Sequence, residues 1–176
     1  MRLLEFISVI EDSDEDTDQH EQALKTTGFW GSAGAGGLIL SKDTGRFLIA
    51  HRSDEVEEPN TWNLWGGAIN SGMSPEGSVK EEIGEETGYS GPMKLIPLYV
   101  FKDTKSSFRF YNFLVLIDKE FSPKLDWEAQ GYKWVNYGNW PSPIHFGLNA
   151  VLNDPKSIEI INRELSSIKQ QVNTKR

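Results

Sequence analysis

The 176-residue chain has 38% hydrophobic residues, six tryptophans and a formal net charge of −8, a composition that suits a packed globular core and excludes a wholly disordered chain. It has no cysteine, so disulfides, thiolate zinc sites and a cysteine nucleophile are all ruled out. No apolar run approaches the roughly 20 residues of a membrane span, and the length fits one domain over residues 1–176.

At the start there is no basic stretch, long apolar run and small-residue cleavage site, so no secretory signal is expected, and cytoplasmic residence fits. Met1 to Ile10 is apolar enough for a strand or a short helix. Residues 11–21 hold seven acidic residues and no basic one, and without them the net charge falls from −8 to −1. The acidity is therefore local to an N-terminal extension over residues 1–30, read as solvated. An EF-hand beginning at Asp12 fails, because Thr17 and Ala23 stand where the loop needs glycine and glutamate.

Gly31 to Leu40 leads into a strand. Its glycines open no helix, so they form no dinucleotide fingerprint, and no Gly-Lys-Ser/Thr ending follows. Asp43, Thr44 and Gly45 make a turn, and Arg46 to His51 return as the second strand of a hairpin. Arg52, at that strand's end, is a candidate phosphate contact, since a guanidinium fork suits a pyrophosphate; an ion pair with the neighbouring acids is the plainer alternative. His51 reads as a packing residue. Trp62 and Trp65 could wall a nucleotide base, but burial is the commoner fate of tryptophan.

The segment Trp65 to Tyr89 runs from a glycine-rich turn into a short helix. Ser74 reads as the N-cap, Pro75 as the first helical residue and Gly88 as the stop. Glu82, Glu85 and Glu86 sit at i, i+3 and i+4, within roughly 100° of one helix face. Like charges so placed repel by a few tenths of a kcal/mol per pair. For the three acids by themselves a solvated helix face is the plainer alternative; a hard divalent cation over that face answers the repulsion, and Mg²⁺ commonly bridges carboxylates to phosphates. Gly66 and Gly67 let backbone approach such a ligand closely.

Further on, Leu95 to Phe101 and Ser107 to Ile117 read as strands. Lys102, Lys105 and Arg109 among Phe101, Phe108, Phe110 and Tyr111 form no extended basic stripe, so nucleic acid is not the expected partner. Tyr132 to Asn136 is a strand, His145 to Leu152 a short helix after the bend at Pro141 and Pro143. Asp154 caps a C-terminal helix over residues 155–171, with an apolar stripe of Ile158, Ile161, Leu165 and Ile168.

The segment from Gly67 to Tyr89 resembles the signature of the Nudix hydrolases, Gly-x5-Glu-x7-Arg-Glu-U-x-Glu-Glu-x-Gly-U, with U bulky and aliphatic. Gly67, Glu82, Ile83, Glu85, Glu86 and Gly88 fall on its fixed positions, while Tyr89 is a loose fit. Met73 replaces the family's first Glu, and Glu81 its Arg. The family pair braces the loop against the helix, so the departures remove a brace and leave the metal ligands. Looser similarity extends over roughly residues 31–150, and the pattern also looks like Nudix proteins of large tailed bacteriophages.

The resemblance implies an α/β/α sandwich with a mixed β-sheet, the signature helix on one side and the C-terminal helix on the other. It implies hydrolysis of a nucleoside diphosphate linked to another group, with Mg²⁺, or Mn²⁺ in its place, held by Glu82, Glu85, Glu86 and the Gly67 carbonyl. Glu82 and Glu85 then serve catalysis, with Glu128 in the loop before a strand as an extra ligand or general base, and Glu120 and Asp126 in reserve. Arg52 matches a substrate-binding arginine. The expected partner is a small nucleotide, and a homodimer is compatible with it. The two departures keep an inactive nucleotide-binding module as the alternative, beside an enzyme acting on RNA 5′ ends.

Overall fold

The computed structural model describes residues 33–102, 104 and 107–174; Met1 to Ile10, the acidic segment, the rest of the 1–30 extension and Lys105 lie outside the described residues. The described residues form seven strands: β1 (Ala33–Ser41), β2 (Phe47–Arg52), β3 (Trp62–Asn63), β4 (Trp65–Ala68), β5 (Lys94–Lys102), β6 (Arg109–Ile117) and β7 (Ala129–Val135). Their helices are α1 (Pro75–Thr87), α2 (Phe146–Asn153) and α3 (Pro155–Thr174). All seven strands join one mixed sheet.

The sheet is organised around β1. Along one edge it pairs in parallel with β6, from Ala33 opposite Arg109 to Ser41 opposite Ile117. Its other edge is divided. Gly34 to Gly37 pair antiparallel with β4, whereas Ile39 and Leu40 pair with β2. Beyond Leu48, β2 leaves β1 and pairs instead with β3, through Ala50 and His51. A wedge thus opens between β1 and β2, and the short run from Trp62 to Ala68 fills it. Each strand that parts from one neighbour finds another for its backbone polar groups. The indole Nε1 of Trp65 donates to the Leu48 carbonyl at 3.0 Å and ties β4 to β2.

This corrects the sequence reading of Gly66 and Gly67 as a turn. Both lie in β4, opposite Gly36 and Ala35 of an equally glycine-rich strand. Glycine offers no side-chain alternation from which a strand can be read; the pairing comes from the partner strand.

Side-chain alternation sends the sheet's apolar residues to two layers. Leu38, Leu40, Phe47 and Ile49 pack with Leu148, Val151, Ile161 and Ile168 of α2 and α3. Ile39, Leu48 and Ala50 pack with Val79 and Ile83 of α1. The fold is accordingly an α/β sandwich, with α1 on one face of the sheet and α3 on the other. Trp62 and Trp65 are both buried, and Trp62 stacks on His51 with ring centroids 4.4 Å apart, so neither walls an open nucleotide site.

The C-terminal helix is longer than 155–171 and starts as expected at Pro155. Asp154 accepts the Ser157 N–H at 2.8 Å, and Ser157 Oγ in turn accepts the Tyr99 N–H of β5 at 3.0 Å. β7 starts at Ala129, three residues before the expected Tyr132, so Glu128 directly abuts the sheet. None of the described helices is long and apolar enough to cross a membrane.

Candidate active site

Helix α1 begins and ends where its sequence dictates. Ser74 has extended backbone and its Oγ accepts the Gly77 N–H at 3.0 Å; Pro75 follows, and Gly88 closes the helix with φ 72°. Val79, Ile83 and Glu86 are all buried and, at i, i+4 and i+7, lie on one face. A carboxylate thus completes an apolar stripe. Burying it unpaired is unfavourable, and the chain supplies one partner: Glu86 Oε2 accepts the Gly66 N–H at 3.0 Å.

Gly66 has φ 150°, and a Cβ there would stand 2.2 Å from the Ala35 carbonyl oxygen. At Gly67 the neighbour is different: a Cβ would lie 3.1 to 3.3 Å from the carboxylate atoms of Glu82. The missing side chain leaves the space that Glu82 occupies. Glu82 is half-buried, while Glu81 and Glu85 are exposed.

Glu128 completes the cluster from the loop before β7, where Ala129 pairs with Arg52 of β2. Its carbonyl accepts the Ser53 N–H at 2.9 Å, and its own N–H donates to Asp126 Oδ1 at 2.9 Å. Burial and then the neighbouring Glu128 charge push the Glu86 carboxyl well above its ordinary range. Glu82 rises to about 7, through burial first and then the charges of Glu85 and Glu128. Glu128 is raised by burial and Asp126, against the pull of Arg52 and a hydrogen bond with Glu86. Carboxyls that raise one another in this way crowd a common space.

The donors in that space are oxygens alone, the chemistry of a hard cation such as Mg²⁺. Among the described residues no three His, Cys, Asp or Glu groups converge as a ready-made cage. The carboxyls surround the space without clasping it, in keeping with an ion that retains several waters. The residues present therefore fit a hydrated divalent ion.

Arg52 ends β2 on the same side. Its Nε and Nη2 both donate to the Glu57 carbonyl, at 2.8 and 2.6 Å, leaving the rest of the guanidinium fork for a ligand. Burial lowers its pKa, while the charges of Glu128 and Glu86 raise it. Nearby, burial and the Arg52 charge hold His145 neutral, at about 3, and its Nδ1 accepts the Gly147 N–H at the start of α2. From the sequence His145 is expected only to start that helix; in the structure it is its buried N-cap.

The two reserve acids separate cleanly. Glu120 is committed to Arg46, with Oε2 2.6 Å from Nη2, and raises none of the clustered carboxyls. Asp126 raises Glu82, Glu86 and Glu128 together. Its position two residues before Glu128 was the available signal.

Met73 packs against the α1-side apolar layer. The polar brace of the resemblance is thus replaced by an apolar contact, and Glu81 stays in solvent. Met73→Glu and Glu81→Arg are expected to couple: in a double-mutant cycle on melting temperature the pair should be more stable than the sum of the single changes by at least about 0.5 kcal/mol. Simple additivity would remove the brace argument.

A family model described as the NUDIX domain matches residues 32–148. A Mycobacterium tuberculosis protein with the provisional name 8-oxo-dGTP diphosphatase 3 is 38% identical over 66 residues, 35% of this chain and 30% of that protein. The match thus spans less than a third of that curated relative. Among solved structures, a Nudix hydrolase from M. smegmatis, RenU, superimposes with TM-score 0.60 at 18% identity, covering 83% of this chain and 89% of its own. A MutT NUDIX hydrolase from Burkholderia pseudomallei gives TM-score 0.53 at 21% identity, over 67% and 92% of the two chains.

Proposed function

The chain belongs to the NUDIX domain family, and from that footing we propose that it hydrolyses the pyrophosphate bond of a nucleoside diphosphate linked to another group. The products are a nucleoside monophosphate and a phosphorylated leaving part. Glu82, Glu85 and Glu86, with the Gly67 carbonyl, would hold Mg²⁺ or Mn²⁺. Such an ion polarises phosphoryl oxygens and offsets the charge that builds up during displacement.

The protein groups have separable roles. Glu128, half-buried and hydrogen-bonded with Glu86 beside the cluster, suits the general base that takes a proton from the attacking water. It takes the proton as the water oxygen bonds to one phosphorus and the bridging P–O bond breaks. Arg52 lies close to Glu128 and Glu86, where its unengaged donors can grip a phosphate. The absence of cysteine is in keeping with a cytoplasmic setting.

The observation that carries this reading is the meeting of a buried Glu86 with Glu82 and Glu128 beside a glycine that leaves them room. The test is a substrate panel with Mg²⁺ and Mn²⁺, scored by product identity. It should hold ADP-ribose, a dinucleotide, a nucleotide sugar, an oxidised purine triphosphate and a short capped RNA. Release of a monophosphate from one of the small nucleotides is expected. Binding without turnover of any compound would favour an inactive nucleotide module, and preference for the RNA would favour the 5′-end reading.

A further inference from the structure

The end of the sheet away from the carboxyl cluster carries a cleft of about 600 Å³, lined by the β1–β2 turn at Gly45, by Tyr137 after β7 and by the last turns of α3. β2 starts at this end with Phe47 and finishes at Arg52 beside the cluster, so about 17 Å of strand separates the two. Four large hydrophobic side chains are exposed among the described residues, and two of them, Tyr137 and Val172, line this cleft.

The helix accounts for Val172. Ile161, Leu165, Ile168 and Val172 fall at i, i+4, i+7 and i+11, on one stripe of α3. Ile161 and Ile168 are buried in the apolar layer, and Leu165 packs against it. Val172 continues the stripe past that layer and is 41% exposed. An apolar stripe that outruns its cover forgoes burial free energy at each uncovered residue. Lys169, also on the cleft wall, makes none of the ion pairs found among the described residues.

The same chain holds a segment of matching chemistry. Residues 1–10, outside the described residues, include Leu3, Leu4, Phe6, Ile7, Val9 and Ile10. Glu5 lies among them, and Glu11 and Asp12 follow directly, carboxylates of the sign that Lys169 lacks. The tether has the right length. β1 runs about 26 Å from Ala33 to Ser41, where the turn beside the cleft begins. The 22 residues 11–32, as a coil, have an r.m.s. length of about 23–28 Å. A tether matched to its span holds its segment at an effective concentration on the order of mM, which a second copy of the chain reaches only in very concentrated solution. We infer that residues 1–10 dock in this cleft against Tyr137 and Val172, an intramolecular strap that completes the α3 stripe and leaves the carboxyl cluster open.

The chain has no cysteine, so engineered thiols report on this without background. In the full chain, Leu4→Cys, Phe6→Cys and Ile7→Cys are each combined with Val172→Cys. The reference partner is Glu76→Cys, exposed at the start of α1 on the other face of the sheet. Under mild oxidation at least one Val172→Cys pair should close within the chain about tenfold faster than its Glu76→Cys counterpart, because a disulfide needs Cα atoms within about 7 Å. That rate should not change with protein concentration. Equal rates at the two positions overturn the docking. A disulfide between chains that forms faster at higher concentration overturns it in favour of a second copy.

Thiol protection gives an independent check. Val172→Cys should react with a soluble thiol reagent about fivefold faster once Phe6→Asp and Ile7→Asp are added, since reactivity follows exposure. Unchanged reactivity overturns the strap. Neither measurement uses a nucleotide, so both stand apart from the proposed hydrolysis.

Discussion

Replacing Glu82 by glutamine is expected to lower kcat by about 10³-fold and, at the same time, to stabilise the cation-free protein above neutral pH. The first effect follows from removing one carboxylate of the cation site, where charge stabilisation is worth several kcal/mol. The second follows from crowding. Glu82 has a pKa near 7 in the folded chain, raised by burial and by Glu85 and Glu128, against an ordinary value of 4.5. Between those values the folded state binds a proton that the unfolded state lacks. Stability therefore falls as pH rises from 4.5 to 7, and the full penalty stands above 7. Converted directly, the shift is about 3 kcal/mol; because Glu82 is half exposed, solvent screening reduces it to about 1–2 kcal/mol.

Thermal melts of wild-type and Glu82→Gln proteins at pH 5 and pH 8, with and without Mg²⁺, check both halves. At pH 8 without cation the variant should melt a few degrees higher. Added Mg²⁺ should raise the wild-type melting temperature and leave the variant almost unmoved. A variant that melts lower at pH 8 and still turns over at the wild-type rate would place Glu82 outside the site.

Two adjacent glycines should fail in opposite ways. Gly66→Ala is expected to destabilise the fold by about 3 kcal/mol or more, since its positive φ and overpacking each carry a penalty. The new Cβ would meet the Ala35 carbonyl oxygen at 2.2 Å, and its nearest neighbours are all backbone atoms of Ala35 and Gly36 in β1, which cannot swing aside as a side chain can. The melting temperature should drop by about 10 °C. Gly67→Ala should fold, because the atoms its Cβ meets, 3.1 to 3.3 Å away, belong to the Glu82 side chain, which can yield. Its loss is functional: a carboxylate displaced by a few tenths of an ångström or more should reduce kcat about 10- to 100-fold. Melting curves and initial rates on both variants distinguish the two effects. Equal stability loss at the two positions would undo the claim that Gly67 exists to make room for Glu82.

Much of the site was legible before any fold. Ser74, Pro75 and Gly88 mark their helix through local chemistry, and each does in the structure what its type dictates. The spacing of Glu82, Glu85 and Glu86 follows from helix geometry alone. The strands around Leu38 and Leu114 were readable from their β-branched and apolar runs. β3 and β4 were not. Their glycines and tryptophans carry no two-residue period, and their pairing exists only because β1 and β2 diverge.

The sequence by itself determined that a helix would present three carboxylates after a pair of glycines, because caps, spacing and like-charge repulsion act over a few residues. It also determined the two apolar layers, because strand alternation and helical period are properties of the chain. Only the tertiary structure decided that Glu86 is buried while Glu85 is exposed, that Asp126 joins the cluster and Glu120 leaves it for Arg46, and that Trp127 stays in water. Those outcomes depend on residues far apart in the chain being brought against one another. Burial and charge are properties of that assembly, and no local pattern encodes them.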